Sequence, residues 1–350
     1  MKSFHSLAFF SLSLLLFIGC NDPSATQQTS PGVTAGNTPA DAPAGDQGPL
    51  NLFDLSVLPR LEGAINPLMK SATMLMYTAP GKPIEAYETI KKQLTAERWR
   101  ELPGANLSAE YGYANGNFTH HGYVLGVSLS KDDRQKPEGV SVTMIHHGQV
   151  DWKKLPLPAD AKQEYALAAT AGFVTESSVE DTLKNTIASF TAAEWQPYGD
   201  SPGVVEFKKG RQLIHIYISS APAKMCKTMM QLNPKLIAAD MPLPPDAIEP
   251  RYRDAPAKLE FSHEGSWDDV AKFYQTELPK LGWKPTSENL IKNEKDAFQI
   301  YRNPEKAYLE LKVETRSGKT VAEVEYKSAG QFEADEKRFK EAMEKKKAEM

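Results

Sequence analysis

Two short stretches concentrate residues that bind metals and move protons. "FTHHGYV" holds His120 and His121, and "TMIHHGQ" holds His146 and His147, four of the seven histidines in the chain. Imidazole nitrogens suit zinc, copper or nickel, and paired strands bring facing side chains to about 5 Å. If residues 123–129 and 140–144 form a hairpin around "KDDRQKPE", one register sets His121 opposite His146 and His120 opposite His147. Alternation puts His121 in phase with Tyr123, Leu125 and Val127, and His146 in phase with Val140, Val142 and Met144. A metal site needs three or four ligands with partners behind them, and only these four present themselves. The competing reading makes them paired strand-end histidines at a sheet margin.

"KMCKTMM" gathers Met225, Cys226, Met229 and Met230, soft ligands suited to Cu(I). Strand alternation would send Met225 and Met229 one way and Cys226 and Met230 the other, so core packing is the expected role. The chain contains no nucleophile elbow, glycine-rich phosphate loop, HExxH or CxxC. Its carboxylates are scattered, and no catalytic pair can be nominated. No catalytic residue and no cofactor is expected.

The N-terminus carries a different chemistry. Lys2 is followed by an apolar run over residues 7–18, broken only by serines. That is too short to span a bilayer, which takes about 20 apolar residues, and has the length of a signal-peptide core. It ends in "LFIGC", which resembles the lipobox of bacterial lipoproteins, with Phe17 where that family usually has leucine. The resemblance implies a signal peptide over residues 1–19 and a lipidated Cys20. It also implies a protein held on the membrane by several acyl chains, each buried methylene contributing about 0.8 kcal/mol. Asn21, rather than aspartate, after the cysteine leans towards the outer membrane or its periplasmic face. Residues 20–50 are rich in Pro, Gly, Ala, Ser and Thr and contain no aromatic residue. Such a segment buries too little surface to offset its ordering entropy and reads as a tether.

Composition narrows the classes further. With 41 basic and 45 acidic residues the formal charge is −4, so no global field favours nucleic acid. Two cysteines, one assigned to lipid, leave Cys226 without a disulfide partner inside one chain.

The elements that must position these residues repeat. Trp99, Trp195 and Trp283 lie 96 and 88 residues apart, each after a segment with apolar steps of three and four. Five positions before each stands a large apolar residue: Leu94, Phe190 and Leu278. Ser177 with Glu180 and Ser266 with Asp269 have capping-box spacing, whereas Pro83 suits a first helical position. Gly282 is a natural left-handed stop. Arg98 and Glu194 at the equivalent places predict that this detail is not shared.

Strand-like pieces precede each helix ("TMLMYT", "AGFVTE", "KLEFSH") and alternating strands follow, the clearest a hairpin turning at "RSGK". The lead-ins "LPLPADA" and "MPLPPDA" are alike.

The fold class expected is α+β, in three tandem modules over residues 51–151, 152–240 and 241–328. Each is a strand, one amphipathic helix and two or three antiparallel strands. Each tryptophan would close a small core. A charged helix over 329–350, with Phe332, Phe339 and Met343 on a narrow stripe, is either a solvated face or a docking element for a protein partner. Such modules look similar to those of uncharacterised bacterial envelope lipoproteins. Three functions compete on this reading: a non-catalytic binding or structural module, a metal-binding lipoprotein using the four histidines, and a hydrolase of envelope polymers.

Overall fold

The computed structural model describes residues 54–65, 67–134, 138–201, 203–221 and 226–331. Cys20, the tether, Met225 and the charged segment beyond Gln331 lie outside them.

Sheet 1 contains β1 (Met69–Lys70), β2 (Met74–Pro80), β3 (Arg100–Glu101), β4 (Asn106–Ser108), β5 (Tyr113–His120), β6 (Tyr123–Asp132) and β7 (Gly139–Gly148), with α1 (Pro83–Ala96) after β2. Sheet 2 contains β8 (Lys162–Ala166), β9 (Ala171–Thr175), β10 (Gln196–Ser201), β11 (Val204–Lys209), β12 (Gln212–Ser220) and β13 (Thr228–Leu236), with α2 (Val179–Ala192) after β9. Sheet 3 contains β14 (Ile248–Asp254), β15 (Ala257–His263), β16 (Lys284–Pro285), β17 (Ile291–Lys292), β18 (Asp296–Arg302), β19 (Tyr308–Arg316) and β20 (Lys319–Lys327), with α3 (Trp267–Lys280) after β15.

The chain is therefore of mixed α+β class, dominated by antiparallel strands. In each sheet the strand before the helix pairs with the last strand of the set, giving the central orders β2-β7-β6-β5, β9-β13-β12-β11 and β15-β20-β19-β18. Among the described residues no helix is long and apolar enough to cross a membrane.

The helices start as local chemistry dictates. Pro83 opens α1, and Ser266 with Asp269 forms a full capping box on α3. On α2 the cap is Ser178 with Asp181 rather than Ser177 with Glu180. Ser177 instead donates to Asp160.

The helix ends hold the unexpected regularity. Trp99, Trp195 and Trp283 each donate their backbone N–H to the carbonyl five residues back, on Leu94, Phe190 and Leu278, at 3.0, 3.0 and 3.1 Å. The preceding residue donates to Thr95, Thr191 or Pro279 in turn. This double bond pattern is a Schellman closure, and it needs a left-handed residue before the tryptophan. Gly282 supplies one at φ 85°, but so do Arg98 at 66° and Glu194 at 64°. The stop expected to differ between the three helices is common to all of them.

The turn delivers each indole back onto its helix. Trp99 and Trp283 are buried, and the Trp195 ring meets Phe190 edge-on at 5.5 Å. Three apolar clusters result, one under each helix. The third also takes in Tyr198, Leu213 and Ile237 from sheet 2 or just after it. Tyr198 donates to the Met241 carbonyl at 3.0 Å. Lys208 pairs with Asp240, and Lys235 with Asp254 at 2.8 Å. The two proline-bearing lead-ins pack into the clusters they precede, through Leu155 and Leu157 and through Met241 and Leu243.

An L-residue held left-handed is strained, and glycine relieves that strain at some cost in unfolded-chain entropy. Arg98→Gly and Glu194→Gly are expected to raise unfolding stability by about 0.5–1 kcal/mol each, and Gly282→Ala to lower it by a similar amount. Urea midpoints would check this, and a loss of stability in both glycine variants would contradict the shared closure.

Candidate functional site

β5 and β6 join through a two-residue turn. His121 and Gly122 have φ of 49° and 80°, and His120 pairs with Tyr123 across the turn. Positive φ at both central residues is the type I′ hairpin, whose twist matches the flanking strands. His121 is therefore consumed by the turn and lies exposed at its tip.

The β6–β7 ladder then sets Leu129 opposite Val142, Val127 opposite Met144 and Leu125 opposite His146. The expected register, with His121 facing His146, is displaced by four residues. A shift of four keeps every side chain on its face, so the apolar alternation under α1 is satisfied by either pairing and does not choose between them. His146 does share the buried face of Val140, Val142 and Met144.

The four histidines separate accordingly. His146 is buried with its ring 5.4 Å from Trp99, and His120 meets the same indole at 5.6 Å. The His121 ring meets that of His120 at 4.2 Å, tilted by 54°. His147 emerges on the opposite face of the sheet. Among the described residues no three His, Cys, Asp or Glu side chains gather as a metal-binding group. Of the sulfur candidates, Met230 is in the core under α2, Met229 is half-buried on the other face of β13, and Cys226 is buried, with its thiol 3.6 Å from the Ala221 carbonyl.

His147 is the histidine that faces a cavity. Its Nδ1 lies 2.8 Å from the carbonyl of Pro234 on sheet 2. A carbonyl can only accept, so Nδ1 carries the hydrogen and Nε2 holds a lone pair in the neutral ring. Burial pushes the pKa below its usual 6.5, against the pull of that hydrogen bond, so the ring is neutral at pH 7. A second contact locks the junction: Gln212 Nε2 donates to the His147 carbonyl at 3.0 Å. It fits because Gly148, at φ 79°, has no Cβ to strike it.

The cavity, of about 190 Å³, is lined by Asn115, Asn117, Gly126, Ser128, Thr143 and His147 on the face of sheet 1 away from α1. Gly126 is its floor. A Cβ there would sit 2.5 Å from His147 Nε2, so glycine is what lets the imidazole lie over the strand. On the other face a Cβ at Gly116 would fall 1.8 Å from the Tyr87 hydroxyl. That hydroxyl donates to Glu101 at 2.5 Å, and Lys91 pairs with the same carboxylate at 2.6 Å.

Two glycines on neighbouring strands thus make the sheet thin where a tyrosine presses from one side and a histidine from the other. Ser128 donates to Asn115 Oδ1 at 2.6 Å, which leaves the amide NH₂ as the donor end of that side chain. The lining thus combines amides, hydroxyls and one imidazole with the apolar Val127 and Ile145, and has no carboxylate, ammonium or thiol.

Sequence reasoning nominated His147 for a metal with its neighbours and missed Asn115, Asn117, Gly126, Ser128 and Thr143. The available signal was an isolated glycine inside each of two strand patterns, which marks a bulge or a close approach. The remaining polar histidines are held elsewhere: His215 by Glu206 at 2.6 Å, and His263 by Asp246 at 3.0 Å and the Gly265 amide at 2.8 Å. No protein-family model, no curated protein and no solved structure matches the chain.

The Nδ1–H tautomer is directly measurable. Nitrogen-15 NMR of His147 at pH 7 is expected to show a protonated Nδ1 and a bare Nε2, titrating only below 6.5. The unfolded chain takes this proton first, so the His147 contribution makes stability fall as pH drops from about 6.5 towards the folded-state value. A ring that titrates above 6.5, or that exchanges freely between tautomers, would contradict the geometry.

Proposed function

We propose that the chain is a lipid-anchored protein of a bacterial cell envelope, built of three copies of one α+β unit, and that it acts by binding rather than by catalysis. The observation that carries the binding reading is the His147 cavity. Its hydrogen-bonding groups are fixed before any guest arrives, by Pro234 on one side and by the Ser128–Asn115 bond on the other. Preorganisation of this kind raises affinity by removing ordering costs.

Ser128 donates to Asn115 rather than to His147, so the nucleophile–base contact of acyl-transfer sites is not made between them. The cavity, at about 190 Å³, is below the roughly 300–1,000 Å³ of drug-sized sites. A small neutral molecule with several hydroxyl or amide groups is the guest that matches it.

The anchor reading rests on the apolar run ending at Gly19 and Cys20. The three-copy reading is supported by the common strand order and by the Schellman–tryptophan closure found three times. The tether over residues 20–50 would hold this body off the bilayer, and the charged segment at 329–350 is the part left for a protein partner.

Both halves can be tested on the intact protein. Wild-type chain expressed in a bacterium is expected in the membrane fraction with a diacylated N-terminal peptide by mass spectrometry, and Cys20→Ser is expected to lose both. For the cavity, a panel of neutral polyols and amides, screened by the His147 Nε2 resonance, is expected to yield binders that a panel of organic acids does not. Thr143→Val and Asn117→Leu should weaken those binders by about tenfold each, the effect of a hydrogen bond worth about 1–1.5 kcal/mol. Acids that bind as well as the neutral panel would refute the assignment, as would turnover of any bound compound.

A further inference from the structure

The two nitrogens of the His147 ring meet different parts of the molecule. Nδ1 lies 2.8 Å from the Pro234 carbonyl of β13. That contact requires a hydrogen on Nδ1 whether the ring is neutral or charged. Nε2 lies over Gly126, where a Cβ would be 2.5 Å from it, and it has no partner among the described residues.

The strand register places Nε2 inside the cavity. The β6–β7 ladder shifts between Val124 and Leu125, which leaves His147 outside the paired positions and lets its ring lean over β6. Gly126 is flanked across the strands by Asn117 and Ile145, and two residues along, Ser128 is flanked by Asn115 and Thr143. Alternation puts both rows on one face of the sheet. Both rows line the cavity. The ring therefore has one nitrogen that keeps its hydrogen and one that titrates, and a guest meets the second.

Taking up a proton turns Nε2 from an acceptor into a charged donor. The ring need not move, because Nδ1–H keeps its bond in both states and Gln212 Nε2 holds the adjoining His147 carbonyl at 3.0 Å. No other group around it changes charge. The lining from β5, β6 and β7 holds no other titratable side chain. On sheet 2, Arg211 beside Gln212 is turned to the Ile237 carbonyl at 3.2 Å, and Lys235 beside Pro234 is paired with Asp254 at 2.8 Å. His146 lies on the opposite, buried face. Burial lowers the pKa of His147, the Pro234 bond opposes it, and no neighbouring charge is recorded as acting on the ring.

We propose that the cavity is a proton-switched site: with Nε2 bare it holds a neutral guest that donates to that nitrogen, and with Nε2 protonated it releases the guest and takes a small anion. This rests on the cavity being a binding site, as argued above. In the second state the imidazolium N–H, the Asn115 amide NH₂ and the Thr143 hydroxyl are the donors available to the anion, and no carboxylate lines the site to repel it. A guest that needs the bare nitrogen competes with the proton. Its apparent affinity is constant above the midpoint of the ring and falls about tenfold per pH unit below it. The anion follows the opposite course.

The test follows the His147 ring of the full chain by nitrogen-15 NMR from pH 7 downward, with and without formate at constant ionic strength. The proton is expected on Nε2 while the Nδ1–H signal persists. Saturating formate is expected to raise the midpoint by about one pH unit, which corresponds to tenfold tighter binding to the charged ring. Asn115→Leu should remove most of that rise, and a neutral binder should lower the same midpoint. A complete lack of neutral binders at pH 7 would overturn the binding reading and with it the neutral state of the switch. The switch alone is overturned if formate leaves the midpoint in place or if its effect survives Asn115→Leu undiminished. It is equally overturned by a neutral binder whose affinity holds through the midpoint.

Discussion

Everything in this body hangs from the way its helices stop. A Schellman turn requires one residue to bend left, and the chain then reverses so sharply that the next side chain is thrown back across the last helical turn. Here that side chain is an indole in all three cases: the Trp195 ring falls against Phe190, whose carbonyl its own amide has bonded, and Trp99 and Trp283 join the same cores as Leu94 and Leu278. Hydrogen bonding and apolar burial are thus satisfied by a single backbone geometry. With the helix end pinned, the first strand after it has one direction in which to leave, and the sheet builds from there.

Much of this was legible in the sequence, and the limits are instructive. The tryptophan spacing, the large residue five before each, and the helical steps located all three helices, because burial writes a period into a helix. The left-handed residue was legible only at Gly282. At Arg98 and Glu194 the tertiary demand for the turn overrides a local preference worth about 1–2 kcal/mol, and nothing in an arginine or glutamate announces that. The histidine register failed for a related reason. Periodicity fixes which face a residue takes, and His146 took the expected face, but it does not fix which partner lies opposite. The His121–Gly122 turn takes His121 out of β6 altogether, so it has no place opposite His146. On α2 the apolar steps Val179, Leu183, Ile187 and Phe190 mark the inner side only in part: Phe190 is buried and Val179 and Leu183 pack against the core, but Thr182 and Thr186, bonded to Thr175 and to the backbone, share the buried face and Ile187 is left exposed.

The site residues were the least visible because they carry no motif. Asn, Ser and Thr on the outer face of a sheet look like ordinary solvated positions, and only the depth created by Gly126 and the ring of His147 makes a cavity of them. Function is read here from a departure from regular pairing, which a pattern of residue types averages away.

One contact ties these themes together. The bond from His147 to the Pro234 carbonyl joins positions 87 apart in the chain and belongs to two different sheets. The electronic character of the first sheet's cavity is thus owned jointly with the second. Dissecting the chain into single sheets would give a cavity of unchanged outline whose imidazole had lost its referee, with the hydrogen free to settle on either nitrogen. A reductionist's fragment would keep the shape of the vessel and forfeit its chemistry.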